Sequence, residues 1–124
     1  MLSQKEIDKK IKEVLVSGQW MIRRSNNGVS CSEDAHGFKW SEIGEWTEVF
    51  DWEPTTKCGN GLHGNGPKSD GYWTNGKNVD FCCVEDIVYI DRKKIKCRKA
   101  MILLRDELPE GLHVGGTLKG INND

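Results

Sequence analysis

Cys58 and His63 are the residues of this chain whose types and spacing could do chemistry. They lie near either end of the segment Cys58-Gly-Asn-Gly-Leu-His63-Gly64, which we call the glycine box. A thiolate can act as a nucleophile, and an imidazole that titrates near neutral pH can act as an acid or a base. One hypothesis is therefore an enzyme with His63 and Cys58 as catalytic residues. In the alternative, which we favour, His63 hydrogen-bonds the backbone and holds the loop in shape while Cys58 packs inward.

The glycines of the box indicate what such an enzyme would bind. Residues without a Cβ let a ligand approach the backbone closely, and their N–H groups can form a concave site for an anion. We therefore predict that Gly59, Gly61 and Gly64 contact a nucleotide-like or other phosphorylated ligand, for which His63 would be the acid or base. The same glycines also suit a binding module that holds a small ligand without chemistry.

A second segment repeats the spacing of the box. Cys31-Ser-Glu-Asp-Ala-His36-Gly and the glycine box share the pattern C-x4-H-G. Two cysteines and two histidines can supply the four ligands of a tetrahedral zinc ion. A further hypothesis is thus a zinc-stabilised structural domain with the ligands Cys31, His36, Cys58 and His63. The alternative is chance recurrence of the pattern in two glycine-containing loops, with no cofactor.

Tyr72 and Trp73 form an aromatic pair in the glycine-rich stretch that follows the box. Exposed aromatic side chains of this kind can stack on a base or a sugar, or anchor a partner protein. We predict that this pair presents a binding surface. The alternative is that the loop packs both rings onto the sheet, as we expect for most of the remaining tryptophans.

Charge and hydropathy exclude several classes of function. The 124 residues carry 18 Lys and Arg against 19 Asp and Glu. The chain therefore lacks the positive net charge that would favour nucleic acid as a partner. The basic residues between 92 and 99 are interpreted as a solvated turn and the outer face of a strand, with a phosphate-binding patch as the alternative. No apolar run approaches the roughly 20 residues of a membrane helix, so no membrane contact is expected.

The five cysteines indicate a reducing compartment. Their odd number, the adjacent pair Cys82-Cys83 and the polar N-terminus without a signal sequence favour reduced thiols in the cytoplasm over a disulfide framework. Cys82 and Cys83 fall in an apolar run, and we expect both to be small buried residues.

The N-terminal segment that must support these residues is predicted to be a helix over 3–17. Ser3 followed by Glu6 is a capping box, in which each side chain bonds the other residue's backbone N–H. Apolar residues at helical spacing form one stripe that suits packing on a sheet. These residues are Ile7, Ile11, Val14 and Leu15.

The rest of the chain predicts strands. We expect a single domain, 1–124, with a β-rich core over 20–104, a long glycine-rich loop over 53–78 and a flexible tail over 105–124 with a short strand at 112–114. The predicted strands are 20–24, 29–31, 38–40, 46–52, 81–90 and 95–104. The last two form a hairpin with its tip at 91–93. Short strands without a βαβ rhythm predict an α+β fold, with the helix packed on a twisted, mainly antiparallel sheet.

Three short segments in this order resemble a family of small bacterial and phage proteins. They are Gly37-Phe38-Lys39-Trp40, Asp51-Trp52-Glu53-Pro54 and the glycine box, which match the patterns G-F-x-W, D-W-x-P and C-G-x-G-L-H-G. The resemblance covers roughly residues 20–104 and implies no established activity. It implies an intracellular accessory protein encoded by a bacterium or a phage. Together with the absence of an identifiable catalytic constellation, it leads us to expect a binding protein with an unknown protein partner or small ligand.

Overall fold

The N-terminal helix forms as its capping signals predict. The structure is a computed structural model that describes residues 1–27, 29–30, 38–72, 76–110 and 112. Helix α1 spans Gln4–Ser17, and Ser3 and Glu6 form the reciprocal capping box. It ends at Gly18, whose φ of 79° is readily reached by glycine and whose N–H bonds the Val14 carbonyl.

A five-stranded antiparallel sheet forms the larger layer of the fold. Its strands are β1 (Trp20–Asn26), β2 (Val29–Ser30), β3 (Trp46–Glu48), β5 (Asn78–Glu85) and β8 (Lys99–Arg105). Their order across the sheet is β2-β1-β5-β8-β3. The central strand β5 therefore pairs with β1 on one side and β8 on the other.

A three-stranded antiparallel sheet contains the glycine box. Its strands are β4 (Leu62–Gly64), β6 (Val88–Tyr89) and β7 (Ile95–Cys97), in the order β4-β7-β6. The two sheets are joined by an antiparallel bridge between Ile22 of β1 and Asn65, directly after β4. The Ile22 N–H donates to the Asn65 carbonyl at 2.8 Å, and the Asn65 N–H donates back at 2.9 Å.

Apolar side chains cover both faces of the five-stranded sheet. Because side chains alternate between faces along a strand, Phe81 and Cys83 of β5 pack in the cluster that contains Ile7 and Val14 of the helix. Cys82 and its neighbour Val84 face the other way, into a cluster with Leu62, Ile95 and Cys97 of the small sheet. The helix and the three-stranded sheet therefore pack on opposite faces of the five-stranded sheet.

The predicted α+β class, with one helix packed on antiparallel strands, is confirmed. The predicted burial of Cys82 and Cys83 is also confirmed, and burial raises the pKa of Cys83 to about 11 and that of Cys82 well above its ordinary value. The predicted hairpin with its tip at 91–93 is present, but each arm is divided. The first arm contains β5 and β6, and the second contains β7 and β8.

The division of the hairpin occurs where two residues leave the extended conformation together. Asp86 has a φ of 63°, which ends β5, and the opposite arm breaks at Arg98 between β7 and β8. The Arg98 N–H donates to the Glu85 carbonyl at 3.1 Å, and its Nε donates to Asp86 Oδ2 at 2.6 Å. Arg98 also pairs with Glu48 of β3. This arginine thereby fixes the point at which the hairpin passes from one sheet to the other.

The prediction of a long loop and the predictions of two strands also need correction. Residues 53–78 are not one long loop, because β4 lies within them and pairs with β7. The predicted strand 46–52 ends at Glu48, and 38–40 contributes only a single bridge residue. The predicted strand 29–31 is present over 29–30, and residue 31 lies outside the described residues. The predicted strand 95–104 continues to Arg105 in β8. Leu112, predicted to begin a short strand, is not in one, and residues 111 and 113–124 lie outside the described residues.

Candidate functional site

The glycine box ends in β4, which belongs to the three-stranded sheet and meets β1 of the five-stranded sheet. Gly64 is the residue that allows this close contact. A Cβ on Gly64 would be 2.5 Å from Met21 Cγ, 2.6 Å from Met21 Sδ and 2.9 Å from the Ile22 carbonyl oxygen. No side chain fits these distances, since Met21 is fully buried. The glycine is required by close packing against β1.

His63 is a neutral hydrogen-bond acceptor within the box. The Gly59 N–H donates to its Nε2 at 3.2 Å, which closes the loop between the two residues. Burial lowers the pKa of His63 to about 4, and the positive charges of Lys94, Lys96 and Arg23 lower it further in the same direction. The bond that we favoured from sequence, from backbone to His63, is present. A group with this pKa and an occupied Nε2 is poorly suited to acid–base work near neutral pH.

Lys96 is a buried lysine that sequence reasoning missed. Its residue is 0% exposed, although the prediction placed the basic cluster on an outer face. Its Nζ donates to the carbonyl oxygens of Lys57 at 2.9 Å and Gly59 at 3.0 Å, and lies 5.5 Å from the centre of the Trp52 ring. Because Lys57 and Gly59 flank Cys58, one ammonium group fixes the backbone on both sides of the thiol. The pattern I-K-C of β7, with apolar residues on both sides of the lysine, was the available signal.

Cys58 is exposed, which contradicts the prediction that it packs inward. Its Sγ lies 2.8 Å from Nζ of Lys94, which is in the connection between β6 and β7. The partner of the thiol is therefore a lysine, and the Nε2 atom of His63 is occupied by the Gly59 N–H instead. The structure does not bring Cys58 and His63 together as nucleophile and base through that nitrogen.

The segment after the box is held by polar contacts with the hairpin tip. Asn65 Nδ2 donates to the Lys93 carbonyl at 2.8 Å, and the Ser69 hydroxyl donates to the same carbonyl at 2.5 Å. Ser69 Oγ in turn accepts from the Gly66 N–H at 2.8 Å. The N–H groups of Gly59 and Gly66 thus bond to the protein itself. Of the glycines predicted to contact an anion, Gly59 therefore already has its N–H engaged by His63.

The other glycines predicted to contact a ligand also pack against the protein. A Cβ on Gly61 would be 3.0 Å from Trp52 Cζ3 and 3.1 Å from Lys96 Cβ. Gly64 is buried against Met21, and Gly59 has a φ of 95°. A ligand role for Gly59, Gly61 and Gly64 stays a prediction.

Tyr72 is not the exposed anchor that the sequence predicted. Its side chain belongs to the cluster that contains the helix residues, and the residue is only 5% exposed. The hydroxyl donates to the Gly66 carbonyl at 3.3 Å, and burial raises its pKa to about 12. The prediction was wrong because a tyrosine in a polar stretch can bury its ring once its hydroxyl finds a carbonyl. Trp73 lies outside the described residues.

The zinc hypothesis involves two residues, Cys31 and His36, that lie outside the described residues. The other two predicted ligands, Cys58 and His63, are engaged by Lys94 and by the Gly59 N–H. Among the described residues, no three His, Cys, Asp or Glu side chains are grouped as a metal site. A zinc ion shared by all four residues stays a prediction.

Phe50 is the exposed aromatic residue that sequence reasoning overlooked. With a relative exposure of 102%, its ring touches nothing in the protein that would shield it from water. Trp52, two residues later, is half-buried and turns inward against Gly61. The two rings diverge because β3 ends at Glu48 and the following residues are no longer extended in a sheet. The irregular spacing of the aromatic residues near Asp51 was the signal for this break.

Comparison of the chain with protein-family models, curated proteins and solved structures finds no match. None of the helices in the described part of the chain has the length and apolar character needed to cross a membrane.

Proposed function

We propose that this protein is a non-enzymatic binding module that engages a partner protein through the loop 49–56, with Phe50 as the anchor. The observation that carries the proposal is the complete exposure of the Phe50 ring. Burying a phenylalanine in a pocket contributes about 1.5–3 kcal/mol, and such anchors dominate the energy of protein interfaces. Phe50 takes the place that sequence reasoning gave to Tyr72.

The loop that presents Phe50 is fastened at both ends, which supports its use as a preformed contact. Before the ring, the Val49 N–H donates to the Arg98 carbonyl at 3.1 Å. After it, Asn60 Nδ2 donates at 3.1 Å to the backbone oxygen and to Oδ2 of Asp51, and the Glu53 N–H donates to the Asn60 carbonyl at 3.2 Å. A loop already held in one conformation loses less entropy when it binds.

The charge around Phe50 indicates the chemistry of the partner. Residues 41–56 contain five carboxylates and no lysine or arginine, and all five carboxylate residues are exposed. They are Glu42, Glu45, Glu48, Asp51 and Glu53. Glu48 is already paired with Arg98 and Asp51 accepts from Asn60, which leaves Glu42, Glu45 and Glu53 as the carboxylates offered to a partner. The partner that fits is a protein surface with an apolar pocket surrounded by lysine or arginine.

The proposed setting comes from the sequence. The resemblance to small bacterial and phage proteins supports an accessory role in the cytoplasm, and the usage of cysteine supports a reducing compartment. Within that setting, the glycine box serves as the rigid base of the Phe50 loop, because Asn60 of the box holds Asp51.

The proposal is tested by selection from a displayed library of random peptides on the immobilised protein. The wild-type chain is expected to enrich peptides that combine apolar residues with lysine or arginine. Phe50→Ala is expected to weaken binding of the enriched peptides at least tenfold, whereas Phe50→Trp retains it. Phe38→Ala is the matched control, since Phe38 is a second exposed phenylalanine at 40% exposure. Absence of enrichment, or equal binding by wild-type and Phe50→Ala proteins, would refute the proposal.

A further inference from the structure

We infer that Cys58 and Lys94 form a reversible covalent crosslink, in which one oxygen atom joins Sγ to Nζ, when the protein meets dioxygen or hydrogen peroxide. The inference starts from the separation of 2.8 Å between the two atoms. Hydrogen bonds from nitrogen to oxygen have separations of about 2.9–3.0 Å, and sulfur is the larger atom. The contact is therefore closer than an N–H···S hydrogen bond requires.

Both residues are held in place by contacts that do not involve the pair itself. On the cysteine side, buried Lys96 binds the carbonyls of Lys57 and Gly59, on either side of Cys58. On the lysine side, the Lys94 N–H donates to Asp91 Oδ1 at 2.7 Å, and the Lys94 carbonyl accepts from the Ile90 N–H at 2.9 Å. The backbones on which the two side chains stand are therefore held near each other, which favours reaction between Sγ and Nζ.

The accessibility of the thiol decides which cysteine can react. Cys58 is exposed, so an oxidant can reach its sulfur, whereas the other three cysteines of the described residues are buried. Burial also raises the pKa of Cys97 to about 12, which keeps that thiol protonated and inert. Oxidation within the described part of the chain is thus directed to the one cysteine that has an amine beside it.

The reaction balances with dioxygen as the oxidant. A thiol, an ammonium group and dioxygen give the S–O–N link, one water molecule and one proton. The S–H bond and two N–H bonds break, S–O and O–N bonds form, and the second oxygen atom leaves as water. Sulfur and nitrogen each lose two electrons, and dioxygen accepts all four. Two molecules of hydrogen peroxide can replace dioxygen, with three water molecules as the product. Two equivalents of a dithiol supply the four electrons that restore the thiol and the amine.

The link would change the electrostatics of the glycine box. The nitrogen of an S–O–N link is far less basic than the amine of a lysine, so Lys94 would lose its positive charge. Lys94 is one of the cations that lower the pKa of His63. Crosslinking would therefore raise the pKa of His63, and it would tie the box to the hairpin tip covalently. This consequence is independent of the proposed role of Phe50.

The experiment compares protein kept under dithiol with protein held in air-saturated buffer or treated with hydrogen peroxide. Intact mass spectrometry is expected to show a gain of one oxygen atom and a loss of two hydrogen atoms. A tryptic digest is expected to contain a peptide that joins Cys58 to Lys94, without cleavage after Lys94, and dithiol is expected to reverse both changes. An NMR titration of the His63 imidazole is expected to show a higher midpoint in the oxidised sample than in the reduced sample.

Variants separate the crosslink from other oxidation products. Cys58→Ser and Lys94→Arg abolish the linked peptide, whereas Lys93→Arg, the matched change at the neighbouring exposed lysine, leaves it intact. Three results would overturn the inference. They are a gain of whole oxygen atoms on Cys58 alone, a disulfide of Cys58 with another cysteine, and the same mass change in Lys94→Arg as in the wild-type protein.

Discussion

The five-stranded sheet is covered on both faces by apolar side chains, whereas the glycine box is held by polar groups that reach backbone carbonyls. In the sheet, Phe81 and Cys82 alternate into two apolar clusters. At the box, Lys96 binds the carbonyls on either side of Cys58, and directly after the box Asn65 binds the carbonyl of Lys93. The difference teaches that a segment rich in glycine can be ordered without a hydrophobic core of its own. Each of its polar contacts needs a particular partner, so single substitutions should act more locally there.

The comparison predicts the largest loss of stability for Phe81→Ala. Phe81 is 0% exposed and packs in the cluster that contains Ile7 and Val14 of the helix, so its removal leaves a cavity that costs about 3–5 kcal/mol. Urea unfolding should show this loss as a lower midpoint. Phe50→Ala is the control, because a fully exposed ring should change the free energy of unfolding by less than about 0.5 kcal/mol. Similar losses in the two variants would mean that Phe81 is not buried while Phe50 is exposed.

Gly64→Ala should be the most damaging change within the box. The added Cβ meets Met21 at 2.5 Å and the Ile22 carbonyl oxygen at 2.9 Å, and this backbone atom cannot move without disturbing the bridge to Asn65. We expect a loss of about 3 kcal/mol in urea unfolding. Gly59→Ala meets no atom within 4 Å and is strained only by its φ of 95°, so it should cost about 1 kcal/mol. A smaller loss for Gly64→Ala than for Gly59→Ala would contradict the packing argument.

Lys96→Met tests whether polar contacts hold the box. The methionine keeps the apolar stem but leaves the carbonyls of Lys57 and Gly59 without their donor, which should cost about 2 kcal/mol. Hydrogen exchange should accelerate most at amides of the box and least in β5. Lys93→Met is the matched control and should change stability by less than about 0.5 kcal/mol, since Lys93 is exposed. Uniform acceleration throughout both sheets would show that the box has no separate stability.

The smallest expected effect is a dependence of stability on pH that comes from His63. Its pKa is about 4 in the folded chain against an ordinary value of 6.5, so the unfolded chain binds more protons between these values. The contribution of His63 is complete above about pH 6.5 and is lost as the pH falls towards 4. We expect about 1 kcal/mol after allowance for partial exposure.

The measurement compares the pH dependence of unfolding in the wild-type protein and in His63→Gln. The variant should lack this part of the pH dependence, and NMR should place the midpoint of His63 near 4. A midpoint near 6.5 would remove the basis for describing His63 as a neutral acceptor.

The helix and the main strands of the larger sheet could be predicted from sequence because local patterns determine them. Ser3 and Glu6 specify the start of α1, and the continuous apolar run around Phe81 and Cys83 marks a strand buried on both faces. The contact from Gly59 to His63 could also be proposed, since it lies within one short segment.

The rest depends on residues that are distant in sequence. Nothing near Lys96 in the chain reveals the carbonyls of Lys57 and Gly59, 39 and 37 residues away, that satisfy its buried ammonium group. The contact between Cys58 and Lys94 spans 36 residues, so local sequence does not reveal it either. The exposure of Phe50 required knowledge of where β3 ends. Single-sequence patterns carry periodicity and capping, but they do not carry which loops meet.

The divided hairpin of residues 78–105 also bears on how the chain folds during synthesis. In the described residues, β1, β3 and β4 each pair with a strand of this hairpin. The ribosome releases all three before their partners exist, so the apolar residues of β1 have no sheet to join in that interval. The hairpin itself closes only a short loop and can form as soon as it emerges. Folding is therefore expected to begin near the C-terminal side and to recruit the earlier segments backwards, with aggregation of the nascent chain as the main hazard until then.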